Sequence, residues 1–125
     1  MTAHTLPKSE RLRSLGAVRR LFSDGRSGFV YPFRYMIFTE ESASPSVEVL
    51  FSVPKRYHKR ANKRNLLRRR TKEAYRLNKE AVTAVATERG KALDMALVYS
   101  VKERVPYKTI ENAVRKILQE VGATL

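Results

Sequence analysis

A run of 25 residues from Lys55 to Lys79 carries twelve of the 26 Lys and Arg residues of this chain. Neither Pro nor Gly interrupts the run, so its sequence predicts one long helix. Such a density of positive charge destabilises a folded domain unless a polyanion neutralises it. A solvated charged helix would carry acids one turn from its bases, but this one offers only Glu73 and Glu80. The run therefore predicts a nucleic-acid partner in preference to a solvated face.

The helical repeat divides this run into two faces. At about 100° per residue, six of its polar residues fall within an arc of about 140°. An adjacent arc holds Leu67, Thr71, Ala74 and Tyr75, which we expect to be buried on a sheet. Arg predominates on the polar face, and its planar guanidinium suits bidentate contact with phosphate. The residues predicted to bind nucleic acid are Lys59, Arg60, Lys63, Arg64, Asn65, Arg68, Arg69, Lys72 and Arg76.

The whole chain is basic as well, with a formal net charge of +14 in 125 residues. An anionic membrane is the alternative partner, but no stretch combines a basic face with a continuous apolar face. Length and an apolar content of 42% fit one domain over 1–125, with a flexible tail expected over 1–9. Cys is absent, and neither a signal peptide nor a spanning segment is evident. We expect a cytoplasmic protein without an obligate protein partner.

Hydrophobic patterns along the chain predict an α+β domain. Ser14 is expected to cap the first helix, and the turn-forming segment 40–46 to join two strands as an antiparallel hairpin. The basic helix ends either at Asn78 or in a second stretch reaching Glu88, and Gly90 ends anything helical there. The predicted order is αββαβα, with a helix over 15–23, strands over 33–39 and 47–53, the basic helix, a strand over 95–101 and a C-terminal helix ending before Gly122.

Nothing in the sequence predicts catalytic side chains on this chain. His4 and His58 lie far apart in a polar terminus and in the basic run, so they form no credible metal pair. The acidic residues are scattered, and a two-metal nuclease needs carboxylates that converge. No metal ligand can be assigned, and the five glycines form no phosphate-binding loop. If the protein takes part in catalysis, we expect another component to break the bond.

The basic run resembles the signature of the bacterial ribonuclease P protein subunit, in which an Arg-Asn-Arg core is followed by further bases and an aromatic. Here the core is Arg64-Asn65-Leu66, followed by bases and Tyr75. The segment 50–56 (LFSVPKR) is similar to the strand that precedes this signature, and 12–25 is similar to the first helix of the family. The resemblance extends, in order, over roughly residues 10–120.

Three residues depart from the family pattern. Leu66 replaces the second Arg of the signature, so an RNA contact made there in other members must be missing or supplied by Arg69 or Arg70. Leu50 stands where the family often has Gly, and Pro54 where it often has Ser. A basic pair expected after the third strand is represented at best by the bases of 102–104, Lys102 and Arg104.

The resemblance implies a ribonucleoprotein endonuclease that removes the 5′ leader of precursor tRNA. In such an enzyme a large RNA subunit holds the catalytic Mg²⁺ ions and cuts the phosphodiester. The protein subunit then has two RNA partners. The RNA subunit binds the basic helix, and the single-stranded leader of the precursor tRNA lies in a cleft between the first helix and the sheet. The fold implied is a single αββαβα sandwich with a small mixed central sheet and a left-handed βαβ crossover around the basic helix.

A leader cleft needs stacking surfaces beside a basic groove. Alternation along the predicted strand over 33–39 places Phe33, Tyr35 and Ile37 on the core side together with Phe51. The opposite side and the first helix supply the residues expected to line the cleft: Val18, Phe22, Arg34, Met36, Phe38, Ser52, Lys55 and Arg56. A small basic ribosomal protein is the alternative assignment, and a self-sufficient nuclease is a third.

Overall fold

The computed structural model describes Leu6 and residues 8–125. Within that part of the chain there are four α-helices and one four-stranded sheet. A short 3₁₀ turn spans Lys8–Glu10. The elements that follow are α1 (Leu15–Asp24), β1 (Arg26–Val30), β2 (Phe33–Glu41), β3 (Ser46–Ser52), α2 (Ala61–Asn78), α3 (Glu80–Arg89), β4 (Lys91–Tyr99) and α4 (Tyr107–Thr124). The predicted α+β class is confirmed, with one strand more than expected.

The sheet is mixed, with the strand order β1-β2-β4-β3. β4 pairs antiparallel with β2 and parallel with β3. The predicted hairpin between β2 and β3 is therefore wrong, because β4 lies between them. β4 takes this central place because its side chains are apolar on both faces, from Leu93 on one face to Ala96 on the other. A turn-rich segment reverses the chain direction, but it does not decide which strands become neighbours.

β1 was not predicted from the sequence. It pairs antiparallel with β2 and forms the edge of the sheet. Gly28 weakens its strand pattern, and Phe29 on this strand is more than half exposed, so no buried alternation reveals it. The strand is the source of a site residue that the sequence did not indicate.

The helices cover the two faces of the sheet unequally. The main core joins α2, α3 and α4 to one face, where Phe33, Ile37 and Phe51 are buried as predicted. A second, smaller cluster lies on the other face, where Leu21 of α1 packs against Ala96 of β4. Because α1 is only ten residues long, it leaves part of this second face open. A groove lies in this open part.

Three of the predicted helix boundaries, at Ser14, Asn78 and Gly90, are confirmed. The Ser14 side chain accepts a hydrogen bond from the Ala17 N–H and caps α1. Asn78 ends α2, and after Lys79 the chain continues in α3 until Gly90, which adopts a left-handed conformation with φ 65°. The basic helix therefore ends at Asn78, and the second predicted helical stretch forms a separate helix, α3. The hand of the β3–α2–α3–β4 connection remains a prediction.

The prediction of a flexible tail over 1–9 falls mainly on residues 1–5 and 7, which lie outside the described residues. Leu6 packs against the main core. Further along, the Leu12 N–H donates to the Val49 carbonyl at 2.9 Å, so this segment runs beside the β3 edge. The Glu10 carboxylate also pairs with the buried ammonium of Lys79, with a Oε1–Nζ distance of 2.7 Å. The segment from Glu10 onward is therefore fixed to the domain.

Gly122 was expected beyond the end of the C-terminal helix, but α4 continues through it to Thr124. The helix tolerates glycine here because α3 approaches closely: a Cβ on Gly122 would lie 2.6 Å from the Ala81 carbonyl oxygen. We expect Gly122→Ala to lower the free energy of unfolding by about 1–3 kcal/mol in urea denaturation, since backbone must shift. Gly16→Ala is the control; its Cβ would meet nothing closer than 3.9 Å, and it should be neutral or stabilising.

Candidate RNA-binding surfaces

α2 lies on the sheet with the stripe that its periodicity predicted. Leu67, Thr71, Ala74 and Tyr75 are its buried residues, as expected. The Thr71 hydroxyl donates to the Leu67 carbonyl at 2.8 Å, so this polar side chain is satisfied inside the interface. Burial raises the pKa of the Tyr75 phenol well above its ordinary value. The opposite side of α2 is left to solvent with its basic residues.

The nine residues predicted to bind RNA lie along this exposed side or just before it. Lys59 and Arg60 precede the helix, and Lys63, Asn65 and Arg69 are exposed on it. Arg64 is partly engaged within the protein, because its Nη1 donates to the carbonyls of His58 and Lys59 at 3.1 and 2.6 Å. It therefore closes the loop that enters α2.

Two further pairs order the middle and the end of this face. The Arg68 Nη1 donates to the Asn65 Oδ1 at 3.0 Å, which leaves the Asn65 amide nitrogen available as a donor. Arg76 makes a two-point contact with the Glu73 carboxylate, at 2.7 and 3.1 Å. The first contact orients the Arg68 guanidinium, whose other N–H groups can donate to phosphate. The second occupies one edge of the Arg76 guanidinium with a carboxylate, which offsets its charge.

Positive charge is most crowded around Lys72. Desolvation lowers the pKa of the Lys72 ammonium, and the neighbouring Arg11 and Arg68 lower it further. Arg11 comes from the segment beside β3 and was not among the predicted site residues. A phosphate placed among these three cations would relieve their mutual repulsion. Arg11 is thus an addition that only the folded chain supplies.

Leu66, the departure from the family signature, lies about one helical turn before the two arginines expected to compensate for it. Together with Arg69, Arg70, Glu73 and Tyr107 it lines a surface cavity of about 420 Å³. Arg69 and Arg70 therefore both lie beside the position where other members carry Arg.

A groove of about 510 Å³ opens on the second face of the sheet, beside the end of α1. Four of the residues predicted for a cleft line it. Phe22 contributes a ring that is 48% exposed, and Arg34, Met36 and Arg56 complete this set. Four more lining residues were not predicted from the sequence: Phe29, Tyr57, Val98 and Ser100.

The other four predicted cleft residues lie outside the lining of this groove. Val18 and Phe38 pack between α1 and the sheet instead. The Arg20 guanidinium of α1 lies over the Phe38 ring, 4.4 Å from its centroid, and so covers this side chain. Ser52 is half-buried at the end of β3, and Lys55 is exposed just beyond it. The alternation of side chains predicted the correct face for Phe38, but it did not predict that α1 would cover this residue and keep it out of the groove.

The charges on this face form two separate groups, one around Arg20 of α1 and one in the groove. Arg20 forms ion pairs with Asp94 at 3.3 Å and with Glu40 at 3.6 Å. Burial raises the pKa of the Asp94 carboxyl, while Arg20 opposes that effect. In the groove itself, Arg34 and Arg56 have no carboxylate partner among the described residues, and Arg56 lies over the Tyr57 ring at 5.1 Å. The groove is consequently basic and aromatic.

The described part of the chain contains neither a metal-binding cluster nor a membrane-spanning helix. No group of three or more His, Cys, Asp and Glu residues there could hold a metal ion. None of the helices over those residues is long and apolar enough to cross a membrane.

A basic helix on one face of the sheet and a basic, aromatic groove on the other define a small α+β domain of the nucleic-acid-binding class. Comparison with known proteins gives its family. Residues 6–122 match the family described as Ribonuclease P. The chain is 35% identical over 122 residues to the Ribonuclease P protein component of Porphyromonas gingivalis, which covers 96% of this chain and 88% of that protein. This chain belongs to the ribonuclease P protein family.

Further similarities agree with that membership. The Ribonuclease P protein component of Chlorobaculum tepidum is 38% identical over 97 residues, which cover 70% of this chain and 60% of that protein. The RNase P protein from Thermotoga maritima has the same fold, with a TM-score of 0.69 at 22% identity over 89% of this chain and 96% of that one. The Staphylococcus aureus RNase P protein gives a TM-score of 0.68 at 17% identity, over 91% and 96% of the two chains.

Proposed function

We propose that this chain is the protein subunit of a ribonuclease P that removes the 5′ leader of precursor tRNA. The observation that carries the proposal is the groove, in which the half-exposed Phe22 ring lies in one cavity with the unpaired cations of Arg34 and Arg56. Single-stranded nucleic acid is bound in this way, by base stacking beside a basic track and with little reading of sequence. Family membership supports the same assignment.

The two surfaces bind different RNAs in this proposal. The exposed side of α2 binds the RNA subunit, and the groove binds the single-stranded leader of the precursor tRNA. The RNA subunit holds the Mg²⁺ ions and performs the cleavage, while the protein contributes affinity for the precursor over the mature tRNA. The complex acts in the cytoplasm, where its proposed substrate is made.

Binding of the leader requires three things that the groove residues offer. The Phe22 ring offers a flat apolar surface for a base, and the Met36 side chain extends the apolar floor. Arg34 and Arg56 offer charge-assisted hydrogen bonds to phosphate oxygens. A mature tRNA has no leader to place in the groove, so the groove contacts would favour the precursor alone.

Reconstitution tests the proposal directly. Purified protein is incubated with precursor tRNA and Mg²⁺, with and without a bacterial ribonuclease P RNA. We expect the leader to be removed only when the RNA is present, and the protein to support activity at Mg²⁺ concentrations at which the RNA alone is inactive. Cleavage by the protein alone would contradict the assignment of catalysis to the RNA subunit. Failure of the protein to stimulate the RNA would contradict its assignment as a ribonuclease P subunit.

Phe22→Ala should weaken the binding of precursor tRNA to the assembled complex by about 1–3 kcal/mol, because one stacking surface is lost. Binding of mature tRNA should hardly change. The measurement is the dissociation constant of each tRNA at fixed salt. Leu15→Ala is the matched control, since Leu15 is an exposed apolar residue on α1 outside the lining of the groove. Equal losses for precursor and mature tRNA would show that Phe22 does not contact the leader.

A further inference from the structure

A second hollow of about 320 Å³ adjoins the groove and is lined by Ser27, Gly28, Phe29 and Arg34. Phe29 and Arg34 belong to both cavities. The Phe29 ring therefore stands between two adjoining hollows on the same face of the sheet, and Arg34 reaches both.

Phe29 is held in this position although its ring is exposed. It lies on the edge strand β1, directly opposite Arg34 in the antiparallel register, so both side chains point to the groove face. Its neighbour Gly28 lies flush against the Tyr35 ring, where a Cβ would come within 2.5 Å. The Tyr35 hydroxyl donates to Glu120 of α4 at 3.1 Å, which fixes that ring. The backbone that carries Phe29 is consequently anchored from the core side.

The Phe29 ring is 56% exposed and lines the same groove as the half-exposed Phe22 ring, so the two rings belong to one exposed aromatic patch and are not isolated surface residues. The charged residues that line the groove with it are Arg34 and Arg56, and neither has a carboxylate partner among the described residues, which does not favour a protein partner for this patch. A flat ring next to unpaired cations is the combination that binds an unpaired nucleotide. The chemistry of the hollow therefore favours the same kind of ligand as the groove.

We infer that Phe29 is a second stacking platform for the leader, with Arg34 binding the phosphate between the base in the groove and the base in the second hollow. The inference rests on the proposed function of the groove and extends it. One stretch of leader then crosses the face of the sheet from α1 to the β1 edge. Each additional base stacked there should add to the affinity for precursor tRNA.

Precursor tRNAs whose leaders are lengthened one nucleotide at a time test this inference in the assembled complex. With the unaltered protein, affinity should rise with leader length until both hollows are occupied. With Phe29→Ala the rise should stop at a shorter leader, and the longest leaders should bind about tenfold more weakly than to the unaltered protein. Phe29→Trp should restore the full rise, whereas Phe29→Leu, which is apolar but not flat, should not. Leu15→Ala should not alter the profile.

The outcomes separate the inference from the function on which it rests. If affinity for the unaltered protein does not depend on the leader at all, the proposed function of the groove fails. If that dependence is present and Phe29→Ala leaves the profile unchanged, only the second platform fails. Equal weakening of precursor and mature tRNA by Phe29→Ala would also overturn the inference, because Phe29 would then contact something other than the leader.

Discussion

Replacing Arg68, Arg69 and Lys72 together by Ala is expected to weaken binding to ribonuclease P RNA strongly at low salt and much less at high salt. Each of the three cations on the exposed side of α2 would release counterions from the RNA, and the log–log salt slope should fall by about 0.7 to 0.9 per lost contact. Between about 50 and 200 mM salt, the ratio of the dissociation constants of the triple variant and the unaltered protein for this RNA should fall by about 20- to 40-fold. Filter binding or fluorescence anisotropy across that range measures it.

Removal of the same formal charge elsewhere provides the control. Arg26, Arg89 and Lys116 are exposed on β1, α3 and α4, away from the predicted face. Their triple Ala variant has the same net charge as the first one. It should keep most of the salt slope, because only cations that meet phosphate release counterions. Equal slopes for the two triple variants would mean that net charge, and not the α2 face, governs RNA binding.

Lys79→Met is expected to lower the free energy of unfolding by about 2 to 3 kcal/mol. Lys79 lies between α2 and α3 with a side chain that is only 7% exposed, and its ammonium is paired with Glu10. Met preserves the apolar stem but leaves the Glu10 carboxylate half-desolvated without its cation. The loss should appear in urea denaturation as a lower midpoint with little change in slope.

Lys91→Met is the matched comparison for that variant. The Lys91 ammonium lies 3.8 Å from the Glu41 carboxylate, whose side chain is largely exposed. Water screens such a pair, so its loss should cost less than about 1 kcal/mol. If the two variants unfolded with the same midpoint, the buried pair would contribute no more than an ordinary surface contact.

Local periodicity predicted the parts of this structure that depend on neighbours in sequence. The buried stripe of α2, from Leu67 to Tyr75, follows from the helical repeat alone. The two faces of β2 follow from strand alternation, which placed Phe33 in the core and Met36 opposite. Neither result needs knowledge of a partner strand, because one buried face is enough to fix the pattern.

What the sequence did not predict depends on distant pairing. β4 entered the sheet between β2 and β3, and nothing in the turn that joins those strands indicates the insertion. The same holds for the groove: Val98 and Ser100 reach it only because β4 lies beside β2, and Phe29 only because β1 forms the edge. A cleft predicted from α1 and two strands therefore included half of its lining residues.

The floor of the groove comes from the middle of the sheet, since Met36 and Val98 belong to the adjacent strands β2 and β4. Backbone in paired inner strands opens to solvent less readily than loops or edges do. A ligand that settles there meets a surface already in its bound shape, so the conformational entropy lost on binding is mainly that of the flexible RNA. We therefore expect amide exchange in β2 and β4 to be slow before a leader binds and to change little afterwards. Differences in affinity between leaders would then reflect how readily each RNA adopts an extended, unstacked form.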